Sequence, residues 1–325
     1  MRPRYRRGWS YMVPGRAAGM RAACGIRHDW TFLRRIHRIN RINRMNASRN
    51  DIETGKALDM ADGAPAQSYS TGSLTRGTFS PLDQLRLFER KYDPVTRAII
   101  AALPVDRAWR CLELGAGAGS MSYWLAEQVP EGGVLAADID VSRLDEGRAT
   151  NLTVRQADVV SEEFEEGAYD LVLARAVLEH LKDPDALLAR AKRWLAPGGW
   201  LVVEDFYYLP AEHAATAVGR TLVGGYVRRM QEQGADMGWA RHLPAALSRA
   251  GLESVGLRLT PAGPGQSVAD DELIGLRLRQ EGHALVESGT VTADELAEFM
   301  DLLGRPEGRD MTTLMVSAWA RRPAG

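Results

Sequence analysis

Residues 112–120 read Leu-Glu-Leu-Gly-Ala-Gly-Ala-Gly-Ser, a strand-like run with one acid that opens onto glycines at every second position, Gly115, Gly117 and Gly119. Glycine is needed where a chain turns sharply after a strand and approaches a ligand too closely for a Cβ. A helix starting just beyond such a loop presents free N–H groups to the ligand's polar end. The stretch therefore reads as a nucleotide-type cofactor loop. Its spacing is Gly-x-Gly-x-Gly with Ser120 next, whereas a dinucleotide fingerprint is Gly-x-Gly-x-x-Gly. Glu113, two residues before the first glycine, would repel a pyrophosphate and attract a cationic amino group or a sulfonium.

Downstream segments extend this reading. Gly133–Asp138 is a short apolar run ending in an acid nineteen residues after Gly119, where a nucleotide fold places a carboxylate for the ribose hydroxyls. Asp138 is assigned that role, with Asp140 as the competing candidate two residues further into the loop. Leu152–Asp158 is a second strand-like run ending in an acid. Acids just after strands are also common helix caps and turn formers, and that reading of Asp158 stays open. Tyr169–Leu181 reads as a fourth strand and the turn after it, which carries Glu179 and His180. Leu195–Asp205 reads as a helix end, a Pro197-Gly198-Gly199 turn and a fifth strand.

Taken in order and spacing, these five segments, from roughly Tyr92 to Phe206, resemble the class I S-adenosylmethionine (SAM) dependent methyltransferases. The likeness is to the broad group of small-molecule methyltransferases of bacterial secondary metabolism and quinone methylation. It implies an α/β, Rossmann-like seven-stranded sheet, mostly parallel with the last strand antiparallel, with helices on both faces and helical lid insertions. SAM is the implied cofactor. The implied cofactor-binding residues are Glu113, Gly115, Ala116, Gly117 and Gly119 in the loop and Asp138 and Ile139 after the second strand. Asp158 and the N–H of Val159 belong at the adenine edge, and Ala174 and Arg175 follow the fourth strand.

Composition suits a soluble enzyme. A chain of 325 residues, 45% apolar and 26% charged, can bury a substantial core in one or two domains. No apolar run approaches the roughly 20 residues that span a bilayer. Two cysteines, Cys24 and Cys111, supply neither a disulfide framework nor a zinc cluster, and point to a reduced, cytoplasmic setting.

The net charge of −1 conceals an asymmetry: residues 1–50 hold 13 arginines, no lysine and one acid, Asp29, a formal +12, leaving −13 for the rest. Such a tail can contact the phosphates of RNA or an anionic membrane surface. However, Leu33, Ile36, Ile39, Ile42 and Met45 recur in strict threes, which drift around an α-helix and make a poor apolar stripe. Residues 1–77 therefore read as an Arg-rich, disordered leader and linker, and residues 78–325 as the methyltransferase domain, with helical insertions at about 206–238 and 265–310.

Ser80-Pro81 opens a helix over Leu82–Lys91, and Asp93-Pro94 supplies a cap and first-turn proline for a second over Val95–Leu103. In related enzymes such leading helices cover the cofactor, which brings Arg86 and Tyr92 into consideration. Phe206-Tyr207-Tyr208 suggests an apolar or aromatic substrate face. Trp239–Ala250 reads as a helix and Leu252–Leu259 as a strand. Thr292-Ala-Asp-Glu295 is a capping box with Val291 and Leu296 as its staple, and residues 312–320 read as the last strand.

A sulfonium methyl is already activated, so a base is required only if the acceptor must lose a proton. His180 and Glu204 are the catalytic candidates, with Asp205 and Tyr207 behind them. The chain lacks the Asn/Asp-Pro-Pro-aromatic and Pro-Cys motifs of nucleic-acid methylases. At the positions where metal-dependent catechol-type enzymes carry acids it offers Ala174-Arg175 and Asp205-Phe206. The expectation is a small organic acceptor, no metal, no nucleic acid and no membrane span. The alternatives are a nucleic-acid methyltransferase using the basic arm, a nicotinamide oxidoreductase, and a non-catalytic SAM-binding protein.

Overall fold

A computed structural model describes residues 81–325. The leader and linker expected over residues 1–77, and Cys24, lie outside the described residues. Strands β1 (Arg110–Leu114), β2 (Gly133–Asp138), β3 (Leu152–Gln156), β4 (Tyr169–Arg175), β5 (Leu195–Tyr208), β6 (Glu253–Ala262) and β7 (Thr313–Arg321) form one sheet in the order β3-β2-β1-β4-β5-β7-β6. Strands β1 to β5 pair in parallel, and β7 runs antiparallel to both β5 and β6. The strand order reverses between β1 and β4, and ligands of open α/β sheets bind outside the carboxyl ends of the strands at such a switch point.

The central strands are apolar along their length because both faces are covered. Leu112 and Leu114 of β1, Val172 of β4 and Val203 of β5 pack on one side with helices α3 (Pro184–Trp194) and α5 (Leu243–Arg249). Cys111, Leu171, Leu173 and Val202 pack on the other with α1 (Pro81–Ala101) and α2 (Ser120–Gln128). Side chains alternate along a strand, so Glu113 and Glu204 project toward the α1 side.

Helix α1 runs unbroken through Pro94 where two helices were expected. An interior proline costs about 3 kcal/mol, but Tyr92, Thr96, Ile99 and Ile100 on its inner face are all buried. Asp93 is not a cap: its carboxylate bonds Arg97, Ser120 and Arg175. The Pro197-Gly198-Gly199 turn also differs from expectation. It sits inside β5 as an irregularity between the pairs Tyr169–Leu195 and Leu171–Trp200, with Gly198 at φ 81°. A Cβ on Gly199 would stand 2.9 Å from the Tyr169 carbonyl oxygen.

Three further helices, α4 (Ala217–Glu232), α6 (Val268–Glu287) and α7 (Ala293–Leu302), share a separate apolar cluster of Val218, Leu222, Leu285, Val291 and Phe299. The capping box at α7 is formed in both directions: the Glu295 N–H donates to Thr292 Oγ1 at 3.1 Å and the Thr292 N–H to Glu295 Oε2 at 2.8 Å. Val291 and Leu296 join the same cluster. The helix expected over Trp239–Ala250 is a 3₁₀ turn, Trp239–His242, leading into α5. No described helix is long and apolar enough to cross a membrane.

Candidate functional site

The glycine loop joins β1 to α2 at the switch point. Gly115, Gly117 and Gly119 all adopt positive φ, 69°, 59° and 85°, a conformation that residues with a Cβ rarely take. The N–H groups of Gly115 and Ala116 donate to the Ala137 carbonyl at 2.8 and 3.1 Å, which ties the loop to the end of β2. The Gly117 N–H donates to Asp138 Oδ2 at 2.8 Å, and the Asp140 N–H to Asp138 Oδ1 at 2.9 Å. The competing acid, Asp140, is occupied as the cap of the turn Val141–Arg143, accepting from the Ser142 N–H at 3.0 Å.

A cleft opens above this loop. Its walls include Glu113, Gly115, Ala116, Gly117, Asp138, Ile139, Val159, Arg175 and His180 of the expected residues. Gly119, Asp158, Ala174 and Glu204 are not on its walls. Gly119 precedes α2, and Ala174 is buried in β4. Asp158 accepts the Val160 N–H at 2.8 Å, the turn-forming role left open above. Glu204 is buried behind the wall, accepting from Ser317 Oγ at 2.6 Å and from Thr96 Oγ1, and so fastens α1 to the sheet.

Glu113 is buried and takes a hydrogen bond from Ser122 Oγ. Burial pushes its carboxyl up to about 7, against the downward pull of the Ser122 bond and the Arg175 charge. Its acid is thus held where a bound cation would favour the charged form.

Arg175, at the end of β4, is turned beneath α1: Nη2 meets Asp93 Oδ1 at 2.9 Å, Nη1 donates to Thr96 Oγ1 at 3.1 Å, and the guanidinium lies 5.1 Å from the Phe88 ring centroid. After it the chain passes through Ala176 at φ 53°. The Val177 N–H donates to Asp205 Oδ1 at 2.9 Å and the Phe206 N–H to Glu179 Oε2 at 2.6 Å, which stitches the 176–181 turn to the end of β5. Burial, then the neighbouring Glu179 charge, raises the Asp205 carboxyl well above its ordinary range.

His180 lies beside Glu179, Nε2 to Oε1 at 3.4 Å. Burial, reinforced by the positive charge of Arg277, depresses its imidazole to about 4, so the ring is neutral at pH 7.

Helix α1 contributes Gln84, Leu85, Phe88 and Glu89 to the cleft. None of these stands out in the sequence, where Arg86 and Tyr92 are the candidates on this helix; Arg86 faces elsewhere, and Tyr92 is buried against the neighbouring chamber. The signal was present: 84, 85, 88, 89 and 92 are spaced as one face of a helix. Gln84 is 3% exposed, and neither polar atom of its amide has a hydrogen-bond partner among the described residues. An orphaned amide on the cleft wall, a loop of left-handed glycines and a buried acid together fit a polar, partly cationic nucleoside ligand.

Beyond Phe206 the cleft continues into a chamber between β5, α4, α6 and α7. Phe206 and Tyr208 line it, whereas Tyr207 alternates to the opposite face, against the main core and 5.8 Å from the Arg241 guanidinium. Phe206 meets Tyr92 edge-on with centroids 5.5 Å apart.

Sheet order, glycine loop and acids define a Rossmann-like nucleotide-cofactor protein. The sequence model described as a methyltransferase domain matches residues 82–255, more than half of the chain. The chain belongs to that family, among the class I SAM-dependent methyltransferases. It is 29% identical over 171 residues to "Methyltransferase str3" of Strobilurus tenacellus, an alignment covering 50% of this chain and 61% of that protein. To the trans-aconitate 2-methyltransferase of Deinococcus radiodurans it is 32% identical over 139 residues, 42% of this chain and 51% of the relative. Thus it spans less than two thirds of either relative's length. The crystal structure of a putative sarcosine dimethylglycine methyltransferase from Galdieria sulphuraria shares the fold, with a TM-score of 0.50 at 17% identity, covering 78% of this chain and 94% of that one.

Proposed function

We propose that this chain transfers the methyl group of SAM to a small organic acceptor. The observation that carries the reading is the junction of two compartments. A polar cleft built on Gly115–Gly119, Glu113 and Asp138 runs into an apolar, aromatic-walled chamber, with Phe206, Tyr208, Tyr226, Leu273 and Arg277 on the walls of both. Family membership supports the donor. The named acceptors of the relatives differ from one another, so the acceptor has to be read from this chain.

When bound, SAM supplies a methyl group already activated on sulfur. The residues do the rest. Glu113 offers a carboxylate to the cofactor's cationic part. Asp138 holds the glycine loop through Gly117 and the next turn through Asp140, and each of its oxygens keeps a lone pair for the ribose hydroxyls. Helix α1, pinned by Asp93–Arg175 and Thr96–Glu204, covers the site and excludes water. Neither base candidate suits strong proton abstraction: His180 is too weakly basic at about 4, and Glu204 is engaged off the cleft. Rate enhancement then rests on alignment and water exclusion. The likeness of its motifs to small-molecule methyltransferases supports a reaction in secondary metabolism or quinone methylation.

Calorimetric titration with SAM, S-adenosylhomocysteine and NAD, repeated on Asp138→Ala, tests the reading. The expected result is binding of the first two ligands only, weakened in the variant. Binding of NAD in their place, or unchanged SAM affinity in the variant, overturns the assignment.

A further inference from the structure

The chamber beyond Phe206 is partly open to solvent. Leu222 and Val223 of α4, Ile274 and Leu278 of α6, and Phe299 of α7 make most of its wall apolar. One cation, Arg277 of α6, stands among the described residues that line it, on the side shared with the cofactor cleft. The two phenols beside it stack with centroids 5.3 Å apart. Arg277 Nη1 donates to the Tyr226 hydroxyl at 3.0 Å and to that of Tyr208 at 3.4 Å, and the guanidinium lies 5.2 Å from the Tyr226 ring centroid.

Those contacts occupy one nitrogen and position the group without neutralising it. Among the described residues no carboxylate forms an ion pair with Arg277. Asp270, on the same wall, is taken by Lys91. Glu281, one turn along α6, and Glu179, on the cofactor cleft, feel the Arg277 charge without contacting it; Glu281 is buried with Oε1 lacking a hydrogen-bond partner, and burial raises its carboxyl. A guanidinium keeps its charge at any working pH, and enclosing one unpaired costs several kcal/mol. The Nε–Nη2 edge, unbonded to described residues, is a planar pair of donors that matches the two oxygens of a carboxylate.

We propose that the methyl acceptor is an apolar molecule carrying a carboxylate, its apolar body in the chamber and its carboxylate side-on against Nε and Nη2 of Arg277. A phosphate fits less well, because its further charged oxygens would face apolar side chains with no second cation. This rests on the methyl-transfer reading for the word acceptor, but the carboxylate selectivity can be tested apart from it.

The test is calorimetry of the full chain, with and without S-adenosylhomocysteine, using 4-phenylbutyrate, 4-phenylbutanol and 4-phenylbutylamine as probes. Charge-assisted hydrogen bonds predict that the carboxylate binds about tenfold or more tighter than the alcohol. The amine should bind weakest. In Arg277→Met the carboxylate and alcohol should converge to within about twofold, and Arg277→Lys should keep part of the preference. Thermal unfolding of the same samples, independent of either ligand, reports whether each variant is folded. Absence of carboxylate binding, equal binding of carboxylate and alcohol by the unmodified chain, or a preference that survives in Arg277→Met would overturn the proposal. Failure of SAM to bind the unmodified chain would sink the methyl-donor reading and leave the carboxylate comparison intact.

Discussion

Arg175 and Asp93 meet at 2.9 Å with both side chains almost fully buried, and this pair joins the end of β4 to the middle of α1. It spans the two elements that bracket the cofactor cleft, so it links fold stability to the covering of the site. Removing one partner of a buried pair leaves the other charge uncompensated, at a cost of about 3–5 kcal/mol. Asp93→Ala is therefore expected to lower unfolding free energy by that order in denaturant titration and to weaken SAM binding as α1 loosens. A loss below about 1 kcal/mol, the level of an exposed ion pair, would show that the contact does not hold the helix.

The buried Glu113 carboxyl, raised to about 7 by burial, is expected on the proposed reading to make donor binding dependent on pH. A cationic ligand favours the ionised acid, so below about 7 the proton must leave before the cation is accepted. SAM affinity should fall by up to about tenfold per pH unit below that point and level off above it. In Glu113→Gln the slope should vanish, with affinity uniformly low. A flat profile in the unmodified chain between pH 5.5 and 8 would place the cofactor's charge elsewhere.

Much of this site is legible in the chain because its chemistry sits in short local patterns. The alternating glycines, the acid before them and Asp138 at the end of β2 are each fixed by a strand end and a tight turn, where residue type follows directly from backbone need. Asp158 was ambiguous for the same reason: an acid after a strand serves a turn as readily as a ligand, and its carboxylate caps Val160. Glu204 stood at a strand end like the others, but the pleat turns it toward Thr96 and Ser317. Side-chain direction there depends on register with β7, which no local pattern encodes. Pro94 misled because burial of Tyr92, Thr96 and Ile100 outweighs its cost within one continuous helix. Arg277 was invisible as a site residue because Tyr208 and Tyr226 meet it from two other elements, 69 and 51 residues away in sequence.

Gln84 should separate affinity from stability with opposite signs. Its amide is buried and without hydrogen-bond partners among the described residues, a condition that costs about 1–3 kcal/mol unless a ligand satisfies it. Gln84→Leu removes that penalty from the free protein, so its melting temperature should hold or rise. On the proposed reading SAM satisfies that amide, so the same change should drop SAM affinity roughly 5- to 100-fold. A variant that lost stability while binding SAM normally would make Gln84 a packing residue of α1 alone.

Gly115 can be tested against a glycine of matched conformation. Gly115 and Gly167 have φ of 69° and 68°, so replacing either by alanine incurs the same left-handed cost, about 1–2 kcal/mol. Their surroundings differ: a Cβ at Gly167 meets nothing within 4 Å, whereas one at Gly115 would stand 2.5 Å from Val177 Cγ2. Overpacking of this kind adds about 1–3 kcal/mol, so Gly115→Ala should be the more destabilising by that margin. Because Val177 belongs to the turn stitched to Asp205, the displaced side chain should also disturb the cleft and weaken SAM binding. Trimming Val177 to alanine in the Gly115→Ala background should then recover part of both losses. Equal destabilisation by Gly115→Ala and Gly167→Ala would show that the turn yields freely and that the loop glycine is required for its backbone angle alone.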